Sequence, residues 1–170
     1  MKMNKAFILA ISAFAAIVAK ADVMNWQVAD DSLADYNYAK LYYVDGNTTV
    51  GGTELATSTL EEGYGDVVQI DLASVIGAGA NSMYYYIEVG NYNDNTFQAV
   101  QRAGAYSYND LVSAGLISTG SMNPPSGKSF GQSGVTIAGG EMSYGNVPEP
   151  SSAMLILVGL AVAGLKRRRA

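Results

Sequence analysis

Alternating apolar and polar side chains are the main pattern between residues 22 and 146. Met24, Trp26 and Val28 alternate with polar neighbours, which is typical of a strand with one buried face. Similar alternation, or a composition rich in Val, Ile and Tyr, predicts further strands over residues 39–45, 66–72, 82–90, 97–101, 105–108, 134–138 and 141–144. Clusters of Gly, Asn, Asp and Ser separate these segments. The spacing predicts an all-β domain, a single small β-sandwich or jelly roll.

Outside the predicted strands, residues 22–146 predict two short helices and one long loop. Two short helices are expected, over residues 71–76 and 109–116, with Asn109 as the N-cap of the second. The Ser-, Gly- and Pro-rich stretch 118–134 predicts a flexible loop. No internal repeat is evident, so we expect one domain over residues 22–146.

The N-terminal segment has the features of a secretory signal peptide over residues 1–21. Lys2 and Lys5 precede an apolar run that extends to Ala19. Ala19-Lys20-Ala21 gives the small-x-small pattern that signal peptidase requires, which predicts cleavage between Ala21 and Asp22. The alternative interpretation is a buried N-terminal helix of the domain.

The domain is strongly acidic. Residues 22–150 hold all 15 acidic side chains but only three basic ones, Lys40, Arg102 and Lys128, for a formal charge of −12. Such a charge repels nucleic acid and favours solubility, cationic partners or divalent ions. The chain has no Cys and no His, which excludes disulfides, His-based triads, Cys nucleophiles and ordinary zinc sites. We therefore expect no cofactor.

The C-terminal tail combines two prolines, an apolar run and four cations. Residues 153–165 are uncharged, and as a transmembrane helix they would cover ~20 Å of a hydrocarbon core that is ~30 Å thick. Lys166, Arg167, Arg168 and Arg169 follow and should stay cytoplasmic. The domain is then extracytoplasmic, in agreement with the signal peptide. Pro148 and Pro150 keep the strip from Val147 to Pro150 extended and accessible.

These features resemble a PEP-CTERM sorting signal over residues 147–170. The motif is Val147, Pro148, Glu149 and Pro150, followed by the short apolar helix and the basic residues. The resemblance implies a bacterium with an outer membrane, recognition by an exosortase in the inner membrane, and removal of the tail. It also implies association with exopolysaccharide or the cell surface. The alternative is a permanently membrane-anchored surface protein whose tail is retained.

Binding residues in the domain are less clearly marked. The outward residues Tyr84 and Tyr86 are candidates for stacking on sugar rings, together with Tyr42 if the sheet order places its strand beside theirs. Tyrosine is also common at half-buried strand positions, and Trp26 is expected in the core. An oxygen-rich loop, Asn91, Asn93, Asp94 and Asn95, is a weak calcium candidate, although the same residues are common in plain turns.

An enzyme is the least favoured class. Adjacent carboxylates such as Glu61 and Glu62 point to opposite faces of a strand, and nothing in the sequence marks a pocket. The sequence predicts instead an exported structural or interaction protein of the cell surface or exopolysaccharide layer, with no catalytic residue. A glycan-binding module displayed by the same route, with or without calcium, is the alternative.

Overall fold

A computed structural model describes residues 21–148. Residues 1–20 and 149–170 lie outside the described part, and with them lie most of the predicted signal peptide, Glu149, Pro150, the apolar segment and the four terminal cations. The described chain is mostly β, as predicted. Its strands are β1 Val23–Ala29, β2 Tyr38–Val44, β3 Thr53–Glu61, β4 Tyr64–Gly65, β5 Val68–Asp71, β6 Tyr84–Asn93, β7 Thr96–Ser107, β8 Ile117–Ser118, β9 Phe130–Gln132, β10 Thr136–Ile137, β11 Gly140–Glu141 and β12 Gly145–Asn146.

Ten of these strands form one open sheet. Its main order is β12-β7-β6-β2-β3-β4-β1-β5, and β8 and β9 also pair with β1. All pairs in this sheet are antiparallel except β1 with β9. Strand β3 pairs with β2 through Thr53 to Thr59 and with β4 through Leu60 and Glu61, so it joins the two halves of the sheet.

The two halves contact each other through their apolar faces. The rings of Tyr106 in β7 and Phe130 in β9 meet edge to face, with centroids 5.7 Å apart. A Cβ built on Gly131 in β9 would lie 3.1 Å from the Cδ1 of Ile87 in β6. Trp26 is fully buried between these elements, as predicted. Burial of such large side chains is the main stabilising contribution to a domain without disulfides.

Most predicted strands exist, but three predictions need correction. No strand was expected over Thr53–Glu61, which forms β3. The two strands expected over residues 97–108 are one strand, β7, which contains Gly104 at a φ of +120°. Part of the expected loop 118–134 is ordered as β9, because Phe130 is fully buried against the core and pairs with Trp26.

The two predicted helices are present and short. They are α1, Leu72–Val75, and α2, Tyr108–Ser113. The N-cap of α2 is Ser107 rather than Asn109: its Oγ accepts the Asp110 N–H, and the Asp110 carboxylate accepts the Ser107 N–H, which makes a capping box. Two 3₁₀ turns complete the helical content of residues 21–148, Asp31–Leu33 and Ala80–Ser82. No helix in this range is long and apolar enough to cross a membrane.

We expect Gly90→Ala to destabilise the domain by about 3 kcal/mol or more, because an added Cβ would lie 1.9 Å from the backbone oxygen of Gln98 on β7. Gly145→Ala is the matched control, since nothing lies within 4 Å of an added Cβ there, and it should stay within about 0.5 kcal/mol of the native protein. Denaturant unfolding measures both. Equal stability of the two variants would contradict the close β6–β7 packing.

Candidate functional site

The outer face of the β3-β2-β6-β7 half is the surface opposite the core, and it carries paired charges. Lys40 on β2 contacts Glu54 on β3, with Nζ and Oε2 2.6 Å apart. Arg102 on β7 forms an ion pair with Glu88 on β6. These pairs contain two of the domain's three basic residues. Both cations of the outer face are therefore neutralised, and the domain as a whole is strongly acidic.

One end of the outer face is covered. Tyr42 on β2 and Tyr86 on β6 stack with ring centroids 4.9 Å apart and an interplanar angle of 11°. The Gly52 N–H, from the loop before β3, donates to the Tyr86 hydroxyl at 3.1 Å. The Arg102 guanidinium lies 5.7 Å from the centre of the Tyr86 ring. These contacts leave Tyr86 only 2% exposed.

This geometry changes the interpretation of the tyrosines that the sequence predicts to stack on sugar rings. Tyr42 and Tyr86 are opposite each other on neighbouring strands, so the strand order does bring them together. Tyr84 is half-buried on the same strand as Tyr86. However, the buried Tyr86 ring offers no surface for stacking on a ligand. The stacked pair instead joins β2, β6 and the loop at residues 45–52.

The other end of the outer face has aromatic rings that are more open. Tyr92 on β6 lies edge to face against Tyr38 on β2, with centroids 4.5 Å apart, and 5.6 Å from Phe97 on β7. The Lys40 Nζ lies 5.7 Å from the centre of the Tyr92 ring and 5.2 Å from that of Phe97. We call Tyr38, Tyr92 and Phe97 the open aromatic cluster. Tyr92 is 40% exposed and the other two are half-buried.

Sequence reasoning did not single out this cluster, but a local signal was present. Tyr92 and Phe97 flank the turn Asn93-Asp94-Asn95-Thr96 symmetrically, and they are cross-strand partners in the β6–β7 hairpin. Cross-strand partners share one face of a sheet. A hairpin prediction at this turn would therefore have placed both aromatic rings side by side.

The weak calcium candidates serve the hairpin turn. Asp94 and Asn95 have φ values of 49° and 62°, as both central residues of a type I′ turn require, and Asn and Asp tolerate this conformation. The Oδ1 of Asn91 accepts a hydrogen bond from the Asn37 N–H at 3.0 Å. Within residues 21–148 no group of three Asp, Glu, His or Cys side chains is arranged to hold a metal ion. Asp94 and Asn95 thus form the turn, and Asn91 holds the backbone of Asn37.

The turn between β3 and β4 borders an open cleft of about 740 Å³. Its walls include the exposed side chains of Glu61, Glu62, Tyr64 and Asp66. The Tyr64 hydroxyl donates to the Asp31 carboxylate, and this contact raises the pKa of the tyrosine. The carboxylates here are exposed, and Glu62 lies in the turn at a φ of +53° rather than in a strand with Glu61, as the sequence had suggested.

Ala21 and Asp22, the two residues of the predicted signal-peptidase site that the structure describes, pack against the domain. Ala21 is 3% exposed, and its carbonyl accepts the Ser121 N–H at 2.9 Å. The Gly120 N–H donates to the Asp22 carboxylate at 3.0 Å. Ala19 lies outside the described residues. Both residues of the predicted bond are thus held in the fold by hydrogen bonds.

The C-terminal segment leaves the domain from the edge of the sheet. Gly145 and Asn146 in β12 pair with Arg102 and Gln101 of β7. The Val147 N–H then donates to the Val100 carbonyl at 2.9 Å. Pro148 has no N–H, so the strand pairing cannot continue through it, and this residue is exposed. The predicted sorting motif thus begins at the last backbone hydrogen bond of the domain.

The fold and this exit point define a mostly β domain that carries a segment for recognition at one sheet edge. Residues 146–170 match the family model of the PEP-CTERM protein-sorting motif. The chain therefore carries a PEP-CTERM sorting signal at residues 146–170, which supports an exported protein sorted by an exosortase and implies a location at the cell surface or outside the cell. No curated protein and no solved structure matches the chain.

The two ends of the outer face should respond differently to truncation. Tyr86→Ala removes a buried ring and should lower the free energy of unfolding by about 3–5 kcal/mol. Tyr92→Ala removes a ring that is largely at the surface and should cost about 1 kcal/mol or less. Denaturant unfolding of both variants measures the difference. A Tyr92→Ala variant as unstable as Tyr86→Ala would contradict the distinction between a covered and an open end.

Stability should fall at alkaline pH because of the buried tyrosines. Burial raises the pKa values of Tyr42, Tyr85 and Tyr108 above the ordinary value of about 10. Their neutral form stabilises the fold fully below about pH 10, and this contribution is lost as the pH rises further, since the unfolded chain releases protons that the folded chain retains. Denaturant midpoints should change little between about pH 7 and 9 and then decrease. Native-state titration of all 12 tyrosines near pH 10, followed by tyrosinate absorbance, would contradict this.

Proposed function

We propose that the protein is a structural or interaction module without catalytic activity, displayed in the cell surface or exopolysaccharide layer. Its folded sheet acts as a compact β-sandwich, and its tail serves for delivery. The observation that carries this proposal is the sorting motif that starts where β12 ends on the sheet edge. Signal peptidase at the Ala21–Asp22 bond and an exosortase at Pro148, Glu149 and Pro150 are the proposed processing partners.

The geometry of the exit supports a short tether. Six residue steps separate Val147, the last residue with a backbone hydrogen bond to β7, from Ala153, where the uncharged run begins. A fully extended chain of this length spans at most ~20 Å. The folded domain would therefore be held close to the inner membrane before processing, with Pro148 directed away from the sheet. An enzyme within the membrane can reach such a strip without unfolding the domain.

A glycan-binding module is the second candidate function. It is favoured by the open aromatic cluster on a face whose basic side chains are neutralised by carboxylates. Both functions use the same export route, so the ligand and the route can be tested separately.

Mass spectrometry of the protein recovered from its host tests the route. We expect a mature chain that begins at Asp22 and ends near Pro150. A variant with both Pro148→Ala and Pro150→Ala should accumulate with its tail attached, because the recognised strip is changed. Pro124→Ala is the matched control, since it alters a proline remote from the tail, and it should be processed normally.

The opposite result is equally clear. If all recovered native protein retains Lys166 to Arg169, the tail is a permanent anchor and processing by an exosortase is wrong. If the native protein and the double proline variant are processed alike, the proline strip is not what the enzyme recognises.

A further inference from the structure

We infer that the open aromatic cluster Tyr38, Tyr92 and Phe97 is a binding site for an uncharged polysaccharide. The inference rests on the proposed display of the domain at the cell surface, and it adds the class of ligand and the residues that contact it. The predicted stacking residues Tyr42 and Tyr86 are not part of this site, because the Tyr86 ring is buried at the other end of the face.

The cluster offers a ligand surface of suitable extent and chemistry. It crosses three neighbouring strands, β2, β6 and β7, which at about 4.8 Å between strands gives ~10 Å. Gly90, opposite Tyr38 on β6, adds no side chain between the rings. On β3, Thr59 and Thr57 are opposite Tyr38 and Lys40, and both are exposed. Apolar ring faces beside hydroxyl groups match the apolar faces and hydroxyls of a sugar chain.

The charges around the cluster select the ligand. Lys40 is the cation nearest to the rings, and the Glu54 carboxylate neutralises it at 2.6 Å. Arg102, further along the same face, is neutralised by Glu88. A polyanion would find no free positive charge on this face and would be repelled by a domain with a net charge of −12. A polycation would be attracted to acidic surface everywhere, so it would not depend on these three rings.

An uncharged polysaccharide avoids both the repulsion of a polyanion and the unspecific attraction of a polycation. It experiences no long-range repulsion, and its binding depends on contact with the exposed rings. The site therefore predicts retention that varies little with salt, since screening acts on charged groups. It also predicts no requirement for calcium, because the Asp94 and Asn95 side chains of the adjacent loop belong to the hairpin turn.

Co-sedimentation of the protein purified from its host provides the test. The probes are cellulose and starch granules as uncharged polysaccharides, and calcium-free alginate beads crosslinked covalently as a polyanion. We expect retention on at least one uncharged probe, little change on raising the salt concentration, and no retention on alginate. The variant with Tyr92→Ala and Phe97→Ala should lose at least about tenfold in affinity, since two stacking surfaces are removed.

Tyr64→Ala is the matched control, because Tyr64 is 48% exposed but lies on β4, in the other half of the sheet. It should bind like the native protein. Denaturant unfolding of each variant shows whether it is folded, and Tyr92→Phe, which keeps an aromatic ring, should retain binding even if the double variant is unstable.

Three outcomes overturn the inference: no retention on either uncharged probe, retention on alginate alone, or equal binding by the native protein and a folded double variant. None of them affects the proposed display, which is measured by the mass of the recovered chain. Conversely, a retained tail would overturn processing and leave the binding result intact, so the two failures are distinguishable.

Discussion

Both edges of strand β1 are paired, and the rest of the fold depends on this arrangement. Each of Val23, Met24 and Trp26 has one partner in β5 and another in β8 or β9. The side chain of Asn25 adds a hydrogen bond to the Pro125 carbonyl, 100 residues away in the chain. Strand β1, the first after the predicted cleavage site, can therefore complete its pairing only when β8 and β9, late in the chain, are in place. Closing loops of this length is entropically costly, so this half of the sheet is expected to form late.

Charge is distributed differently over the outer face and over the rest of the surface. The basic side chains Lys40 and Arg102 lie on one face and are each neutralised there by a carboxylate. Within residues 21–148 the other carboxylates form no ion pair, and repulsion among them favours solubility and opposes association between copies. On the outer face the exposed rings of Tyr92 and its neighbours remain available for contact with an uncharged partner.

The sequence predicted local patterns well and non-local contacts poorly. The alternation in β1 predicted that Trp26 is buried, although the opposite face of β1 is largely buried too, with Val23 and Asn25 at 7% and 8% exposure. Strand β3 has a weak pattern, and its register shifts opposite Leu41, so its faces do not alternate regularly. The loop segment containing Phe130 became a strand only through pairing with β1, which no neighbouring residue indicates.

The candidate site shows the same division. Alternation correctly placed Tyr86 on the outer side of β6, but the loop residue Gly52 that covers it is 34 positions away. The sorting motif, in contrast, could be predicted almost completely, since it is a contiguous segment and depends on the order of its residues rather than on the fold. The open aromatic cluster lies between these cases: Tyr92 and Phe97 follow from the hairpin, and Tyr38 requires the β2–β6 pairing.

The attachment of β12 has a mechanical consequence. A force applied through the tail acts on an edge strand that is held by few backbone pairs, at Arg102, Gln101 and Val100. These pairs lie at the C-terminal end of the described domain, so they are the first contacts to bear such a load. Residues 145–147, once released, would form a linker of at most ~10 Å between the tail and the rest of the sheet. The edge strand β12 would thus detach before the core of the domain unfolds when the tail is pulled.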